Sequence, residues 1–399
     1  MEETFFQKLQ RARPADAGHV FLFLAAAPVA LVYRFFRREL WLLCDNKNEA
    51  RDNGWQLFKY ICKEHPEIDA VYAIGKRSPD REKVLKVGKT VNYGSFRHWV
   101  LYLAAKYNIS SQKGGKPNAA VTNVLETKGL LRNKRIFLQH GIIKDDMPWL
   151  HYKNTKMKMF VTSTRREQEF ISSKFGYPEG AVRELGLCRF DNLHDYETVP
   201  RQVLLMPTWR SWIADPTSAS FEIEDVRNFE NTAYFKAWNS FLGSERLRNI
   251  LCENDLHLIF YPHRDMQKYL GSFDITDSSI TIAGFPQYDV QKLLKSSAFL
   301  ITDYSSVAMD FAYMDKPLVY YQFDYEDFRR GQYPEGYFDY KTDGFGPVFD
   351  SENDVLDCLE AAAKGGFVQG AEYSRRHDEF FDLCDTENCR RNFEAIMSL

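Results

Sequence analysis

Short apolar runs of strand length alternate with helix-length stretches along most of this 399-residue chain. The runs end at glycine, proline or polar clusters, which are typical of the turns that close strands. We predict strands over 40–44, 70–74, 84–87, 135–138, 158–161, 182–185, 203–206, 256–261, 280–282, 298–302 and, as the last, 317–321. Helices are predicted between them, among others over 55–64, 96–107, 165–175, 232–252 and 307–314. This alternation is typical of α/β proteins with doubly wound parallel sheets.

The chain is longer than one typical domain, so two domains of about 150–200 residues are expected. We predict an N-terminal apolar and basic helical segment over 1–38 and a Rossmann-like domain over 39–198. A second Rossmann-like domain is predicted over 199–370, followed by a C-terminal helix over 371–399 that packs back on the first domain. Each domain then contains one parallel sheet.

The balance of charged residues argues against one class of function. With 52 basic and 55 acidic side chains, the net charge is −3 at pH 7. This disfavours a nucleic-acid partner bound through a general basic field. The seven cysteines are scattered and odd in number, which indicates reduced thiols and a cytoplasmic setting. Cys384 and Cys389 have no second pair nearby, so we predict no zinc site.

An unbroken apolar run over 20–33 is followed at once by Arg34, Arg37 and Arg38. The run is shorter than the roughly 20 residues that a helix needs to span a bilayer. No small-residue cleavage site follows it, and the basic cluster is on the wrong side for a signal peptide. Two interpretations stay open. The segment is either a helix buried against the first domain or a monotopic helix in the membrane interface, with its arginines on anionic headgroups.

The sequence Asp303-Tyr304-Ser305-Ser306 joins a predicted strand to a predicted helix. The first turn of a helix carries unpaired N–H groups and partial positive charge, so this join can hold an anion. Serine and aspartate are also ordinary helix caps that bind nothing, and the join alone leaves both interpretations open. Asp310 lies one turn further on. It is either an acceptor for ribose hydroxyls or an acid that favours the helix dipole.

Three further strands end in groups suited to phosphate chemistry. His140 closes one of them, where it is either aimed into a cleft or bonded to a neighbouring carbonyl, and Gly141 permits a sharp departure of the backbone there. Thr208 and Arg210 follow a proline at the second, where Arg210 offers a planar cation for phosphate oxygens. His263 follows a proline at the third and can exchange a proton near neutral pH. Because ligands of open α/β sheets collect at the carboxyl ends of strands, we predict a phosphoryl-group site.

Other segments exclude some classes of protein or are predicted to be loops. The chain has no Gly-x-Gly-x-x-Gly and no Walker A sequence, which disfavours dinucleotide dehydrogenases and P-loop proteins. Residues 211–230 are predicted to form a loop. Arg329-Arg330-Gly331 is also predicted to be a loop, in which Arg330 is either a phosphate contact or an ordinary surface arginine.

A set of short motifs, in this order, gives the chain its resemblance to a known family. They are Glu49-Ala50-Arg51-Asp52-Asn53-Gly54, Gln139-His140-Gly141-Ile142, Pro207-Thr208-Trp209-Arg210, Pro262-His263, Thr302-Asp303-Tyr304-Ser305-Ser306 and Arg330-Gly331. Over 39–362 the chain resembles the CDP-glycerol glycerophosphotransferase family, the teichoic-acid and capsule polymer enzymes of bacteria. The resemblance implies a GT-B fold, in which two Rossmann-like domains face each other across a cleft. It also implies a cytoplasmic enzyme, peripheral on the inner face of the cell membrane, and so favours the membrane interpretation of 1–38.

The resemblance implies transfer of glycerol phosphate or ribitol phosphate from CDP-glycerol or CDP-ribitol, with release of CMP. The acceptor would be a hydroxyl of a glycopolymer or of a lipid-linked molecule. By position, His140 matches the family's general base, which deprotonates the acceptor hydroxyl. His263 matches its second essential histidine, which either stabilises charge on the donor pyrophosphate or protonates the leaving phosphate. The residues that match the nucleotide and pyrophosphate contacts are Arg210, Thr208, Ser305, Ser306, Asp310 and Arg330, with Gly141 and Asp303 as cleft residues. Residues 39–198 would form the acceptor domain and 199–370 the CDP-alditol domain.

One departure from the family pattern is Ser211, which stands where glycerol-phosphate polymerases often have an acid. It leaves the alditol and the acceptor open. No resident cofactor and no metal ligands are implied, and a Mg²⁺ requirement stays open. Two other functions also stay open, namely a GT-B glycosyltransferase that uses a nucleotide sugar and a non-catalytic assembly component that binds polymer or lipid-linked intermediates.

Overall fold

In the computed structural model the chain divides into two compact units. The structure describes residues 14–37, 39–131, 133–214 and 228–399. Unit 1 combines the chain up to His140 with Pro148–Asp191 and Asp385–Leu399. Unit 2 combines Gly141–Met147 with Asn192–Cys384. Neither unit is a single continuous piece of the chain.

Unit 1 is built on a seven-stranded parallel sheet with the strand order β3-β2-β1-β4-β5-β6-β7. Its strands are β1 Leu40–Cys44, β2 Asp69–Ile74, β3 Lys89–Asn92, β4 Tyr107–Ser110, β5 Lys134–Phe137, β6 Met159–Thr162 and β7 Val182–Glu184. Its helices are Pro14–Phe36, Asn53–Glu64, Arg81–Leu85, Phe96–Ala104, Ala119–Thr127, Tyr152–Thr155, Arg165–Lys174 and Asn388–Met397. The strand order reverses between β1 and β4, and ligands of open α/β sheets bind outside the carboxyl ends of strands at such a reversal.

Both faces of the first sheet are covered, which is why its strands read as continuous apolar runs. Trp41 and Leu43 of β1 face one core, which includes Phe58 and Phe393. The alternate residues of β1 face a second core. That core contains Trp99 of the helix Phe96–Ala104 and Ala26 of the helix Pro14–Phe36.

Two predictions for unit 1 are wrong. The predicted strand over 84–87 is the end of a helix, because Val84 alone is buried while Leu85 and Val87 are 48% and 37% exposed. The strand in this region is β3, which sequence reasoning missed. The helix predicted over 96–107 ends at Ala104, and the buried residues Tyr107–Ser110 form β4.

Unit 2 is built on a six-stranded parallel sheet with the order β10-β9-β8-β11-β12-β13. Its strands are β8 Val199–Met206, β9 His257–Phe260, β10 Ile280–Ile282, β11 Ser297–Thr302, β12 Leu318–Tyr321 and β13 Val348–Phe349. Its helices are Ser211–Ala214, Ala233–Gly243, Glu245–Glu253, Val290–Ser296, Val307–Tyr313, Tyr325–Gly331, Glu352–Lys364 and Ala371–Phe380. The order reverses between β8 and β11, beside the predicted anion site.

Several predictions for unit 2 need correction. The run over 317–321 is not the last strand, because the two-residue strand β13 pairs with β12. The predicted helix over 232–252 is two helices, and Ser244 between them accepts a capping hydrogen bond from Leu247 N. Helix Ser211–Ala214 and a 3-10 turn at Phe229–Asn231 occupy the two ends of the predicted loop. Residues 215–227 of that loop lie outside the described residues.

Two predictions for helix boundaries also fail. Arg329-Arg330-Gly331 is not a loop but the last turn of a helix, whose buried Phe328 anchors it. The single helix predicted over 371–399 is interrupted between Phe380 and Asn388. There the carboxylate of Asp385 accepts a hydrogen bond from Glu387 N at 2.9 Å, a local turn that competes with helix formation.

The N-terminal helix Pro14–Phe36 is longer than the apolar run in it. Its window Asp16–Phe36 is long and apolar enough to cross a membrane, a criterion that signal sequences and core helices also meet. Only 11% of that window is buried, so the interpretation as a buried helix is wrong. The helix packs on Phe96–Ala104 through one face, where Trp99 Nε1 donates to His19 Nδ1 at 3.0 Å. Arg38 lies outside the described residues.

Candidate active site

The strand order of unit 1 places β1, β4 and β5 side by side, so the residues after them meet at one edge of the sheet. Asp45 follows β1, Ser111 follows β4, and Leu138, Gln139 and His140 follow β5. The reversal of strand order lies among these three strands. Their carboxyl ends are therefore the expected ligand position of this unit.

His140 is exposed to solvent, and its ring forms a hydrogen bond with the backbone of Ser111. Although the ring reaches solvent, desolvation by the surrounding protein and then the positive charge of Arg189 hold the pKa of His140 below its ordinary value of 6.5, against the opposing effect of the Ser111 bond. The ring is therefore neutral at pH 7. A neutral, exposed imidazole can accept a proton from a hydroxyl group.

A buried carboxyl group is linked to His140 through Ser111, and sequence reasoning missed it. Asp45 has no exposed surface and accepts hydrogen bonds from Ser111 Oγ at 2.5 Å and Asp52 N at 3.0 Å. Burial and the negative charge of Asp52 raise the pKa of Asp45 to about 7, although these two hydrogen bonds act the other way. Asp52 in turn forms an ion pair with Arg189 at 2.8 Å. These groups form a polar network at the carboxyl ends of β1 and β4.

The sharp departure of the backbone lies one residue before the histidine, not after it. Gln139 has a φ of +62°, in the left-handed region, and Gly141 is not among the residues with positive φ. Gln139 is fully buried, and Gly141, a predicted cleft residue, is buried as well.

The segment after His140, Gly141–Met147, belongs to unit 2 and is fixed there by an ion cluster. Asp145 contacts Lys144 Nζ at 2.5 Å and Arg329 Nη1 at 2.6 Å. Burial alone would favour the neutral acid, but the charges of Lys144 and Arg329 lower the pKa of Asp145. Arg329 therefore serves an internal ion pair, a role that the predicted loop did not suggest.

In unit 2 the loops after β8 and β11 are joined through Asp303. Thr208 N donates to Asp303 Oδ1 at 2.8 Å, and Arg210 Nη2 lies 3.0 Å from Asp303 Oδ2. Arg210 also binds Asp324 through Nε and Nη2, at 2.8 and 2.9 Å. Arg210 and Asp303 have no exposed surface. Arg210 is therefore not accessible to a ligand, and Asp303 does not face a cleft, because the two side chains form an ion pair in the interior of the unit.

The predicted anion site lies at the start of helix Val307–Tyr313. Ser305 and Ser306 are half-buried there. Ser305 Oγ accepts a hydrogen bond from Val307 N at 3.4 Å, and the side chain of Ser306 makes no capping bond. Asp310 is only 4% exposed, so little of it is offered to a ribose in this conformation.

His263 follows β9, next to β8 in the sheet, and 42% of its side chain is exposed. Its ring stacks on Trp209 at a centroid distance of 5.9 Å. Its Nδ1 accepts a hydrogen bond from Asp265 N at 3.3 Å, so the neutral ring carries its proton on Nε2. His263 can then donate a hydrogen bond through Nε2.

The two remaining predicted contact residues, Thr208 and Arg330, differ in solvent exposure. Thr208 is buried, and its hydroxyl has no hydrogen-bond partner within the described part of the chain. Arg330 is 61% exposed and pairs with Asp327 of its own helix. Within the described ranges no group of three or more His, Cys, Asp or Glu side chains is arranged to hold a metal ion, and all seven cysteines are free. The Mg²⁺ requirement stays a prediction.

Solved structures have folds similar to that of this chain. The wall teichoic acid polymerase TagF matches with a TM-score of 0.65 at 16% identity, over 99% of this chain and 98% of that one. A protein described as a putative UDP-N-acetylglucosamine 2-epimerase from Listeria monocytogenes matches with a TM-score of 0.55 at 12% identity, over 90% and 96%. These likenesses and the two sheets define a two-domain protein of the GT-B class, as predicted.

The sequence comparisons give the family. The model of CDP-Glycerol:Poly(glycerophosphate) glycerophosphotransferase matches residues 26–398. The minor teichoic acid biosynthesis protein GgaB of Bacillus subtilis (strain 168) is 33% identical over 94% of this chain and 42% of its own length. This chain belongs to the CDP-glycerol:poly(glycerophosphate) glycerophosphotransferase family. It spans about half the length of the curated relatives that it matches.

Proposed function

We propose that this chain transfers glycerol phosphate from CDP-glycerol to a hydroxyl of a teichoic-acid polymer and releases CMP. The observation that carries the proposal is His140, an exposed and neutral imidazole at the carboxyl end of β5, inside the residues that match the family. The acceptor oxygen attacks the phosphorus that bears the glycerol. The bond from that phosphorus to the bridging oxygen of CMP breaks.

In this proposal His140 takes the proton of the attacking hydroxyl. A general base contributes roughly 10²- to 10⁴-fold to such a step. The ring is suited to it because desolvation and then the charge of Arg189 disfavour its protonated form at pH 7. His140 then returns the proton to solvent.

The leaving CMP needs charge stabilisation, which is the main demand of phosphoryl transfer. We assign this part to His263, whose Nδ1 is occupied by Asp265 N and whose Nε2 can donate. The half-buried hydroxyls of Ser305 and Ser306 are proposed to hold the pyrophosphate oxygens. Arg210 supports this region through Asp303 and Asp324 rather than by direct contact.

The test is release of CMP by the purified full chain with CDP-glycerol and a poly(glycerol phosphate) acceptor. We expect His140→Gln to lower the rate by 10²-fold or more, on the order that loss of a general base gives. The control His65→Gln changes another histidine of unit 1, at the end of helix Asn53–Glu64. His263→Gln should also slow transfer, whereas His257→Gln, at the opposite end of β9, should not. Wild-type turnover of His140→Gln would refute its role as the base.

The donor separates the alternatives. CDP-ribitol in place of CDP-glycerol tests the alditol, which Ser211 leaves open. Nucleotide release from UDP-, GDP- or CMP-sugars instead would indicate a glycosyltransferase. Absence of release from every donor would favour the non-catalytic assembly component.

We also propose that the chain is cytoplasmic and lies on the inner face of the membrane through helix Pro14–Phe36. One face of this helix is packed on its own unit. The opposite face is apolar and exposed, with Val20, Phe21, Leu24, Val29, Leu31, Val32, Phe35 and Phe36 at 43–76% exposure. Because a helix with one packed face cannot be surrounded by lipid, this supports a position in the interface rather than across the bilayer.

Binding of the full chain to phosphatidylglycerol vesicles tests this position. Phe21→Ser combined with Leu24→Ser should release most of the protein from sedimented vesicles. Leu85→Ser, which changes an exposed leucine of unit 1 outside this helix (48% exposed, against 59% for Leu24), is the control. A carbonate wash should strip the wild-type chain from vesicles, and retention after that wash would indicate a spanning helix.

A further inference from the structure

Gln139 holds a backbone conformation that its neighbours must enforce. Its φ of +62° lies in the left-handed region, which is strained for a residue with a side chain. Its side-chain amide is fully buried and donates to Val161 O at 2.5 Å and to Glu167 Oε1 at 3.0 Å. Such strained residues cluster at functional sites, where the surrounding structure over-determines them.

Asn53, which opens helix Asn53–Glu64, holds the other side of this residue. Its Nδ2 donates to the backbone oxygen of Gln139 at 2.8 Å and more weakly to that of Leu138 at 3.4 Å. Its Oδ1 accepts a hydrogen bond from Arg189 N at 2.9 Å. Asn53 has no exposed surface. The Asn53 side chain therefore links three segments of the chain, namely its own helix, Leu138–Gln139 and Arg189.

The oxygen that Asn53 holds belongs to the peptide group that ends at His140 N. Because a peptide group is planar, a hydrogen bond to the oxygen of Gln139 also fixes the orientation of the N–Cα bond of His140. The left-handed Gln139 and the bond from Asn53 therefore act on the same plane. Rotation of that plane would move the His140 ring away from Ser111.

We propose that Asn53 is a positioning residue for His140, and that the peptide group between Gln139 and His140 is the part through which it acts. The motif Glu49–Gly54 thereby gains a role that its sequence did not show. The proposal rests on the proposed function only in giving His140 a part in the reaction.

The test compares Asn53→Ser with a matched change elsewhere in unit 1. Serine lacks the amide group and its hydroxyl oxygen lies one bond closer to the backbone, so it is too short to reach Gln139 O. Asn392 is the control, since it is equally buried and its Nδ2 also donates to two backbone oxygens, those of Gly186 and Asn388 at 2.9 and 2.8 Å. Asn392→Ser removes the same kind of hydrogen bonds, from a buried side-chain amide to backbone oxygens, at a site away from the end of β5.

We expect Asn53→Ser to lower kcat by about 10- to 100-fold, since misplacement of a reacting group by about 1 Å can cost 10²-fold. KM for CDP-glycerol should change less than kcat. In ¹³C-histidine-labelled full chain, the His140 ring resonance, assigned with His140→Gln, should shift in Asn53→Ser and stay in place in Asn392→Ser. Equal losses of kcat in the two variants, or an unshifted His140 resonance, would overturn the proposal.

The two readouts separate this inference from the proposed function. If the wild-type chain transfers nothing from any CDP-alditol, the proposed function fails, but the ring resonance still reports whether Asn53 places His140. If Asn53→Ser does not fold, Asn53→Asp takes its place, because it keeps the shape and turns the donor into an acceptor. Its kcat and KM are then compared with those of Asn392→Asp, and equal kcat values again overturn the proposal.

Discussion

Arg210 and Asp324 form a two-point ion pair, with Nε to Oδ2 at 2.8 Å and Nη2 to Oδ1 at 2.9 Å. Arg210 is completely buried, and the ring of Tyr304 lies 5.0 Å from its guanidinium carbon. Asp324 and then Asp303 raise the pKa of Arg210 although burial opposes this. The pair therefore belongs to the interior that carries the loops after β8 and β11.

Breaking this pair should destabilise the chain strongly. Removing one partner of a buried ion pair leaves an uncompensated charge and costs about 3–5 kcal/mol. We expect Asp324→Asn to lose stability of this order in urea unfolding followed by tryptophan fluorescence. Asp327→Asn, which breaks the exposed pair with Arg330 in the same unit, is the control and should change little. An Asp324→Asn midpoint equal to wild type would contradict the role given to Arg210.

His98 should make unit 1 sensitive to acid. It is fully buried, its Nδ1 accepts a hydrogen bond from Gly94 N at 3.0 Å, and burial lowers its pKa to about 3. The folded state therefore binds this proton more weakly than the unfolded chain. Stability from this group is complete above pH 6.5 and falls as the pH drops from 6.5 toward 3.

His98→Asn tests this effect, because asparagine keeps an acceptor for Gly94 N and does not take up the proton. The free energy of unfolding should fall less for the variant than for wild type between about pH 7 and pH 5, where the unfolded histidine titrates. Parallel curves for the two proteins would show that His98 is not responsible.

Arg189 should contribute to the low pKa of His140. Its positive charge contributes to holding the pKa of His140 below 6.5. Arg189→Gln removes the charge and keeps the backbone N–H that binds Asn53, so the pKa of His140 should rise. An NMR titration of the labelled His140 ring measures this rise. A midpoint unchanged by the substitution would mean that the surrounding protein alone sets the pKa.

Gly336 should not tolerate a side chain. A Cβ added there would lie 2.0 Å from Lys144 O and 2.8 Å from Asp145 Cα, both backbone atoms. Overpacking of this kind costs about 1–3 kcal/mol, so Gly336→Ala should lower the thermal unfolding midpoint. Gly271→Ala, where the added Cβ meets nothing within 4 Å, is the control. A smaller loss for Gly336→Ala than for Gly271→Ala would contradict the close approach.

The sequence predicts the elements that carry strong local signals. Buried parallel strands such as β1 and β11 are continuous apolar runs, and the polar residues after them mark strand ends, so His140 and His263 could be found. The two-residue strand β13 has no such run, and β3 has only one buried residue, Val91. Neither could be predicted from a local pattern.

Partners distant in the chain explain the remaining differences. From the sequence alone, Arg210 is interpreted as a phosphate contact, because its carboxylate partner Asp324 is 114 residues away in the chain. Asn53 acts on Gln139 across 86 residues. A single sequence shows which groups are present, but not which of them neutralise each other in the interior.

The division of the chain into two interleaved units affects how it is made. Residues 385–399 belong to unit 1, and Asn388–Met397 supplies Phe393 and Ile396 to the core that holds Trp41. During synthesis, Asn192–Cys384 of unit 2 emerges from the ribosome before residues 385–399 do. Until those last residues are made, unit 1 cannot complete its core, and part of that core stays exposed to solvent. We expect this interval to be the time at which the nascent chain depends most on chaperones.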